Sequence, residues 1–245
     1  MKNTTVKTIN KTIHKKTGKV LLYHGSVNKI VEPVYLGGKP NNDYGNGFYC
    51  TENIELAKEW ACGTGENGYA NSYSIDMSNL NVLDFTRDGY TVLNWLAVLL
   101  TYRTVNLDSP IMKEGTKFIQ DNYMIKLSGY DIIRGYRADD SYFSFVRAFV
   151  SNTITLEQLS EALKLGKLGE QVMIRSRAAF ASLKYENSFD AEASEYYSKK
   201  KKRDAQARSD YQKIANSIDK KGIYLADILR GEVSDDESIR RKLSI

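Results

Sequence analysis

The sequence predicts an α+β fold. Three observations carry that prediction: short apolar runs of strand length recur along the chain, helical patterns of uneven length separate them, and the strict strand–helix rhythm of a parallel sheet is missing. The chain has 245 residues, 42% hydrophobic and 27% charged, which suffices for one large domain or one domain with an appendage. Only three prolines and no Gly/Ser-rich tract argue against a string of flexible modules, and no internal repeat is found.

Residues 1–18 are rich in Lys, Thr and Asn without periodicity and read as a tail or edge extension. Val20-Leu21-Leu22-Tyr23 is an apolar run that leaves the core at His24-Gly25-Ser26, a buried strand. Gly37, Gly38, Pro40, Asn41 and Asn42 mark a loop. Gly45-Asn46-Gly47 then turns into a second short strand, Phe48-Tyr49-Cys50-Thr51. Asn53 is placed to cap a helix with Glu55 in its first turn and Ala57, Trp60 and Ala61 on one side, closed by Gly63, Gly65 and Gly68. Residues 72–76 and 80–85 read as strands, 90–128 as helical, 130–133 as a strand and 140–150 as a short helix. Thr155 and Gln158 form a capping box for a helix to Leu165. Gly169 turns the chain into a strand at Gln171-Val172-Met173-Ile174, and beyond Leu183 the chain reads as polar helix with Tyr196, Tyr197, Tyr211 and Ile214 as docking residues.

Composition removes several chemistries. Cys50 and Cys62 are the two cysteines and the chain has two histidines, which argues against a disulfide framework or a zinc site. No apolar run follows the N-terminal lysines, and the longest apolar stretch, Val92 to Leu100, is about half a membrane span, so a soluble cytoplasmic protein is expected. Walker A, Rossmann and Gly-x-Ser-x-Gly patterns are absent. The net charge of +5 is uneven: six lysines and no acid lie in residues 1–19, and seven basic against two acidic residues in 196–213, leaving the rest acidic. Such flanks suit nucleic acid or an acidic partner, although a solvated helix face is the commoner explanation.

His24 beside Gly25, and Tyr49 behind a glycine turn, are each ordinary in isolation. A lone histidine is more often structural than functional. Taken together, Tyr23-His24-Gly25-Ser26, Gly45-Asn46-Gly47-Phe48-Tyr49-Cys50-Thr51 and Ala57-Lys58-Glu59-Trp60-Ala61 resemble the ADP-ribosyltransferase superfamily, in its His–Tyr–Glu branch of diphtheria-type toxins and poly(ADP-ribose) polymerases. The resemblance looks strongest to bacterial ADP-ribosyltransferase-like proteins encoded beside small partner proteins. Tyr130-Asp131-Ile132-Ile133, Ala138-Asp139-Asp140 and Leu168-Gly169-Glu170-Gln171-Val172 extend it, so that it covers residues 20–183.

The resemblance implies a split mixed β-core with a helical insertion, NAD as substrate and no metal. It implies that His24 hydrogen-bonds an NAD ribose hydroxyl and that the Gly25 backbone pairs with the nicotinamide carboxamide. Tyr49 and Trp60 would sandwich the nicotinamide, with Ser26 beside the ribose. The branch's glutamate would orient the ribose and stabilise positive charge as nicotinamide leaves. Here Gln171 is the inward residue of that segment, and Glu170 falls on the opposite face by strand alternation. Asp139 or Asp140 could supply a carboxylate from a neighbouring loop. The expected organisation is a basic arm at 1–19, the ADP-ribosyltransferase-like domain at 20–183 and a helical extension at 184–245. The expected activity is mono-ADP-ribosylation of a macromolecular acceptor, protein or nucleic acid, restrained by a small antitoxin-like partner. NAD glycohydrolysis and a silent NAD- or nucleotide-binding module are the alternatives.

Overall fold

The computed structural model describes residues 18–232 except 88, 139, 166–168 and 218. Nearly all of the basic arm, Asp139, Leu168 and residues 233–245 lie outside the described residues. In chain order, β1 spans Lys19–Ser26, β2 Phe48–Cys50, α1 Ile54–Ala61, β3 Gly68–Asp76 and β4 Val82–Asp84. Two helices follow, α2 at Val92–Tyr102 and α3 at Pro110–Tyr123, then β5 at Ile132–Tyr136. The second half holds α4 Asp140–Val150, α5 Leu156–Lys164, β6 Glu170–Ile174, α6 Arg177–Ala181, β7 Lys184–Ala191, α7 Ala193–Ala215 and α8 Leu225–Arg230. The chain is α+β, as expected.

The strands form two sheets, ordered β1-β3-β7 and β2-β6-β5-β4. Every pairing is antiparallel except that of β4 with β5, so the second sheet is mixed. Among the described residues the sheets meet at one bridge. Tyr23 N–H donates to the Thr51 carbonyl at 2.8 Å, and Thr51 N–H returns the bond to Tyr23 at 2.9 Å. A core between them is built from Leu22, Phe48, Cys50, Tyr73, Ile75, Val172 and Ile174. A larger core surrounds α2, where Val92 to Leu100 are all buried. A helix apolar on every side has to sit inside the protein, which is why its sequence shows no polar face.

The local stop and start signals act as read. Asn53 Oδ1 accepts from Glu55 N at 2.9 Å to open α1. Thr155 and Gln158 cap α5 reciprocally at 2.9 and 3.1 Å. The helical region at 90–128 resolves into α2 and α3, the latter opened by Ser109 as cap and Pro110 at its first position. β3 begins at Gly68 rather than Ser72. A Cβ at Gly68 would lie 2.7 Å from the Ser26 carbonyl oxygen and 2.9 Å from that of Ala61, so this glycine permits close backbone approach instead of ending a helix.

One expectation is corrected. Residues Lys184–Ala191 are not the start of a helical extension but strand β7, hydrogen-bonded to β3. Its polar sequence suits an edge strand with one face to water. Tyr185 turns inward and packs edge-on against Tyr73 with centroids 5.9 Å apart. Helix begins only at Ala193. α7 then runs across both halves of the molecule. Near its start Tyr196 meets Glu55 and Lys58 of α1, and Arg203 pairs with Glu59. Near its end Tyr211 stacks on Phe145 of α4 at 3.9 Å, and Gln158 of α5 donates to the Ile214 carbonyl at 2.8 Å. Lys200 and Arg203 both serve these internal ion pairs, with Asp204. Among the described residues no helix is long and apolar enough to cross a membrane.

β7 should therefore belong to the stable unit. A chain ending at Leu183 is expected to unfold at lower denaturant than one ending at Glu192, because several cross-strand pairs are lost at about 0.2–1 kcal/mol each. It should also self-associate through the bared edge of β3. Urea unfolding and size-exclusion chromatography of the two truncations measure this, and equal midpoints would show β7 to be dispensable.

Candidate functional site

Beyond Tyr23 and Thr51 the two sheets diverge, and a cavity of about 630 Å³ opens between them. Its lining unites His24 from β1, Tyr49 from β2, Trp60 from α1 and Gln171 from β6. The loop between β1 and β2 supplies another wall through Ile30, Val34, Gly38 and Asp43. Arg103, after α2, and Arg137, after β5, add two guanidinium groups. The volume is within the range of small-ligand sites, about 300–1,000 Å³.

His24 takes over where the backbone ladder stops. Its Nδ1 is 2.6 Å from the Tyr49 carbonyl oxygen. A carbonyl only accepts, so Nδ1 carries the proton, and Nε2 is the remaining acceptor of a neutral ring. The ring stacks on Phe48 with centroids 4.4 Å apart. Burial lowers the imidazole pKa below its ordinary value, partly opposed by the Tyr49 bond.

The Tyr49 hydroxyl is fixed by two bonds. It donates to the Gly45 carbonyl at 2.7 Å and accepts from Tyr44 N–H at 3.0 Å. Gly45 has φ +83°, so the turn that receives this hydroxyl depends on glycine. Burial raises the phenol pKa far above its usual range, keeping Tyr49 neutral. Trp60 contributes its indole, over which the Arg137 guanidinium lies at 4.5 Å from the ring centroid.

Gln171 is buried and tied down by two acceptors. Its Nε2 donates to Asp43 Oδ2 at 2.8 Å and to the Tyr136 carbonyl at 3.1 Å, which leaves Oε1 as the acceptor of the amide. Asp43 is buried as well, 6% exposed, and its Oδ2 also accepts Ala138 N–H at 2.8 Å. Arg103 lies 3.8 Å from Asp43 Oδ1. Burial raises the Asp43 pKa, while Ala138 N–H, Gln171 and the two arginines oppose the shift.

The remaining expected site residues fall elsewhere. Glu170 is on the opposite face of β6 and outside the cavity, held by Arg134 Nε at 2.5 Å; alternation along the strand makes it incompatible with Gln171 facing the same ligand. Gly25 is not a lining residue. A Cβ there would overlap the Ala57 carbonyl and lie 2.8 Å from Trp60 Cβ, so the glycine lets α1 settle on β1. Because Tyr23 bonds across to Thr51, alternation turns the Gly25 amide and carbonyl to that same edge of β1. Ser26 Oγ accepts from Asn28 N–H at 3.2 Å in the turn after β1. Asp140 begins α4, and its side chain, like Asp139, lies outside the described residues. Asp43, Arg103 and Arg137 had no motif to announce them. Among the described residues no three His, Cys, Asp or Glu side chains gather as a cation site.

The two shifts act on stability in different pH windows. Asp43 binds its proton more tightly folded than unfolded, so its contribution is complete in acid and is lost as pH rises through its folded value. His24 holds its proton less tightly when folded, so stability is lost as pH falls below the ordinary imidazole range. Asp43→Asn should remove only the first effect. The difference in Tm between this variant and the parent is expected to grow in favour of the variant from pH 4 upward. Thermal melts across pH 3.5–8 measure it, and a flat or opposite difference would show that the arginines outweigh burial.

Residues 20–185 match the family described as a protein of unknown function, DUF3990. No curated protein and no solved structure matches the chain. The matched span runs through most of the described strands and holds every cavity-lining residue from His24 to Gln171. With well over half of its length matched, this chain belongs to the DUF3990 family.

Proposed function

We propose that this protein is an NAD-dependent mono-ADP-ribosyltransferase, cleaving the nicotinamide–ribose bond and passing ADP-ribose to a macromolecule. The observation that carries the reading is the convergence of His24, Tyr49, Trp60 and Gln171 on one cavity although they come from β1, β2, α1 and β6. The residues that resemble a His–Tyr–Glu transferase are thus neighbours around one space. His24 Nε2 is the acceptor for a ribose hydroxyl, with the tautomer set by Tyr49. Tyr49 and Trp60 are the lining aromatics for nicotinamide, Trp60 already carrying the Arg137 guanidinium over one face. The edge orientation of the Gly25 backbone suits a carboxamide, and Arg103 and Arg137 suit the anionic diphosphate.

On this reading the ADP-ribosyltransferase-like fold is the pair of sheets with the cleft between them. The acceptor is a protein or nucleic acid in the cytoplasm, and a small partner protein restrains the activity. A specific observation favours the silent-module alternative: the third position carries the neutral Gln171, both of whose N–H bonds point at protein acceptors. Labelled NAD incubated with the protein and a cell lysate separates the cases. Label on macromolecules supports transfer, free labelled ADP-ribose supports glycohydrolysis, and a rise in Tm with NAD but no nicotinamide release supports the binding module.

Tyr49→Ala should weaken NAD binding more than His24→Ala. Aromatic stacking on a base is worth about 1–3 kcal/mol, against about 0.5–1.5 kcal/mol for one neutral hydrogen bond. Because the Tyr49 hydroxyl also fixes Gly45, Tyr49→Phe is the companion that keeps the ring, and it should lose less than Tyr49→Ala. Isothermal titration of the three variants gives the order; a larger loss from His24→Ala would count against stacking.

A further inference from the structure

We infer that Asp43, from the loop between β1 and β2, supplies the catalytic carboxylate of this site, acting with Gln171 as a composite pair. The inference rests on the reading of the cleft as an NAD-cleaving site and deepens it. Its basis is geometric. Asp43 is a buried carboxylate that lines the cavity. The other acidic lining residue, Glu32, is exposed on the loop. Asp43 Oδ2 is only 2.8 Å from Gln171 Nε2, so the negative charge stands beside the side chain that the resemblance assigns to the ribose. A second donor, Ala138 N–H, holds the same oxygen at 2.8 Å, and Arg103 faces Oδ1. A carboxylate fixed this way need not reorganise when charge develops beside it, which is the condition for electrostatic catalysis.

The division of labour follows from the donors. Gln171 spends both amide hydrogens on Asp43 and Tyr136, so its Oε1 accepts a ribose hydroxyl. In the reaction the bond between ribose C1′ and the nicotinamide nitrogen breaks. Its electron pair goes to that nitrogen, so nicotinamide leaves neutral and C1′ becomes a cationic oxocarbenium centre. Asp43 stabilises that cation as an anion and forms no bond to it. A lone pair of the acceptor hydroxyl, amine or water then closes on C1′, and the acceptor's proton passes to solvent. No other reactant is needed.

This arrangement also changes what a glutamate at position 171 would do. Gln171→Glu sets a second carboxylate against the first, and two acids so close share a proton. It should therefore slow cleavage, although it brings the sequence nearer to the transferase pattern. The test is the rate of nicotinamide release from NAD, with folding followed by Tm and NAD affinity by titration. Asp43→Asn should reduce kcat about 10²-fold, with a smaller change in KM. Gln171→Glu should fall below the parent, and the double variant Asp43→Asn/Gln171→Glu, which moves the carboxylate from loop to strand, should recover at least tenfold over Asp43→Asn. A parent that turns over NAD, with Asp43→Asn folded and equally fast, overturns the role of Asp43 and leaves the proposed function standing. Failure of the double variant to recover while it still binds NAD also overturns it. A parent that binds NAD without releasing nicotinamide overturns both.

Discussion

The geometry of this protein depends on a single pair of backbone hydrogen bonds, those between Tyr23 and Thr51. They are the described bridge between two sheets that otherwise pair only within themselves. Flanking the bridge, Leu22 and Cys50 are completely buried and hold the sheets together through apolar contact. Past the bridge, toward Gly25 and Tyr49, a side chain replaces the ladder, as His24 reaches the Tyr49 carbonyl. The backbone pairing between the sheets ends there, and the cavity lies beside it. The same histidine is thus both a tie between the two sheets and a polar group on the cavity wall.

The floor of the cleft is braced by a chain of polar contacts leading into the largest core. The Tyr136 carbonyl accepts from Gln171, from the Tyr44 hydroxyl at 2.6 Å and from Trp95 Nε1 at 3.2 Å. Trp95 belongs to the buried stretch Val92–Leu100 of α2, so the Gln171 amide is tied through this carbonyl to the large core. Buried polar groups are costly unless paired. Here one carbonyl serves three donors, and the residues it collects come from the loop before β2, from α2, and from adjacent strands β5 and β6.

Much of this was legible because its causes are local. The helix caps at Asn53 and Thr155, the glycine turn before Phe48, and the opposed faces of Glu170 and Gln171 each depend on residues a few positions apart. What escaped reading depends on partners distant in the chain. Asp43 lies next to the Gly45 turn, yet its meaning comes from Gln171, 128 residues later. β7 has a polar composition that fits a helix surface as well as a sheet edge, and only the presence of β3 beside it decides. Gly25 was legible as a site of close approach, but what approaches its missing Cβ is α1.

Helix α7 gives the molecule a timetable. It fastens α1, beneath Trp60, to α4 and α5 on the far side, yet it follows in sequence every residue that lines the cavity. A ribosome adds about 5–20 residues per second. The cleft residues therefore emerge seconds before the helix that ties their supports together. During that interval the nascent chain carries the cavity-lining residues without the contacts that α7 makes to α1, α4 and α5.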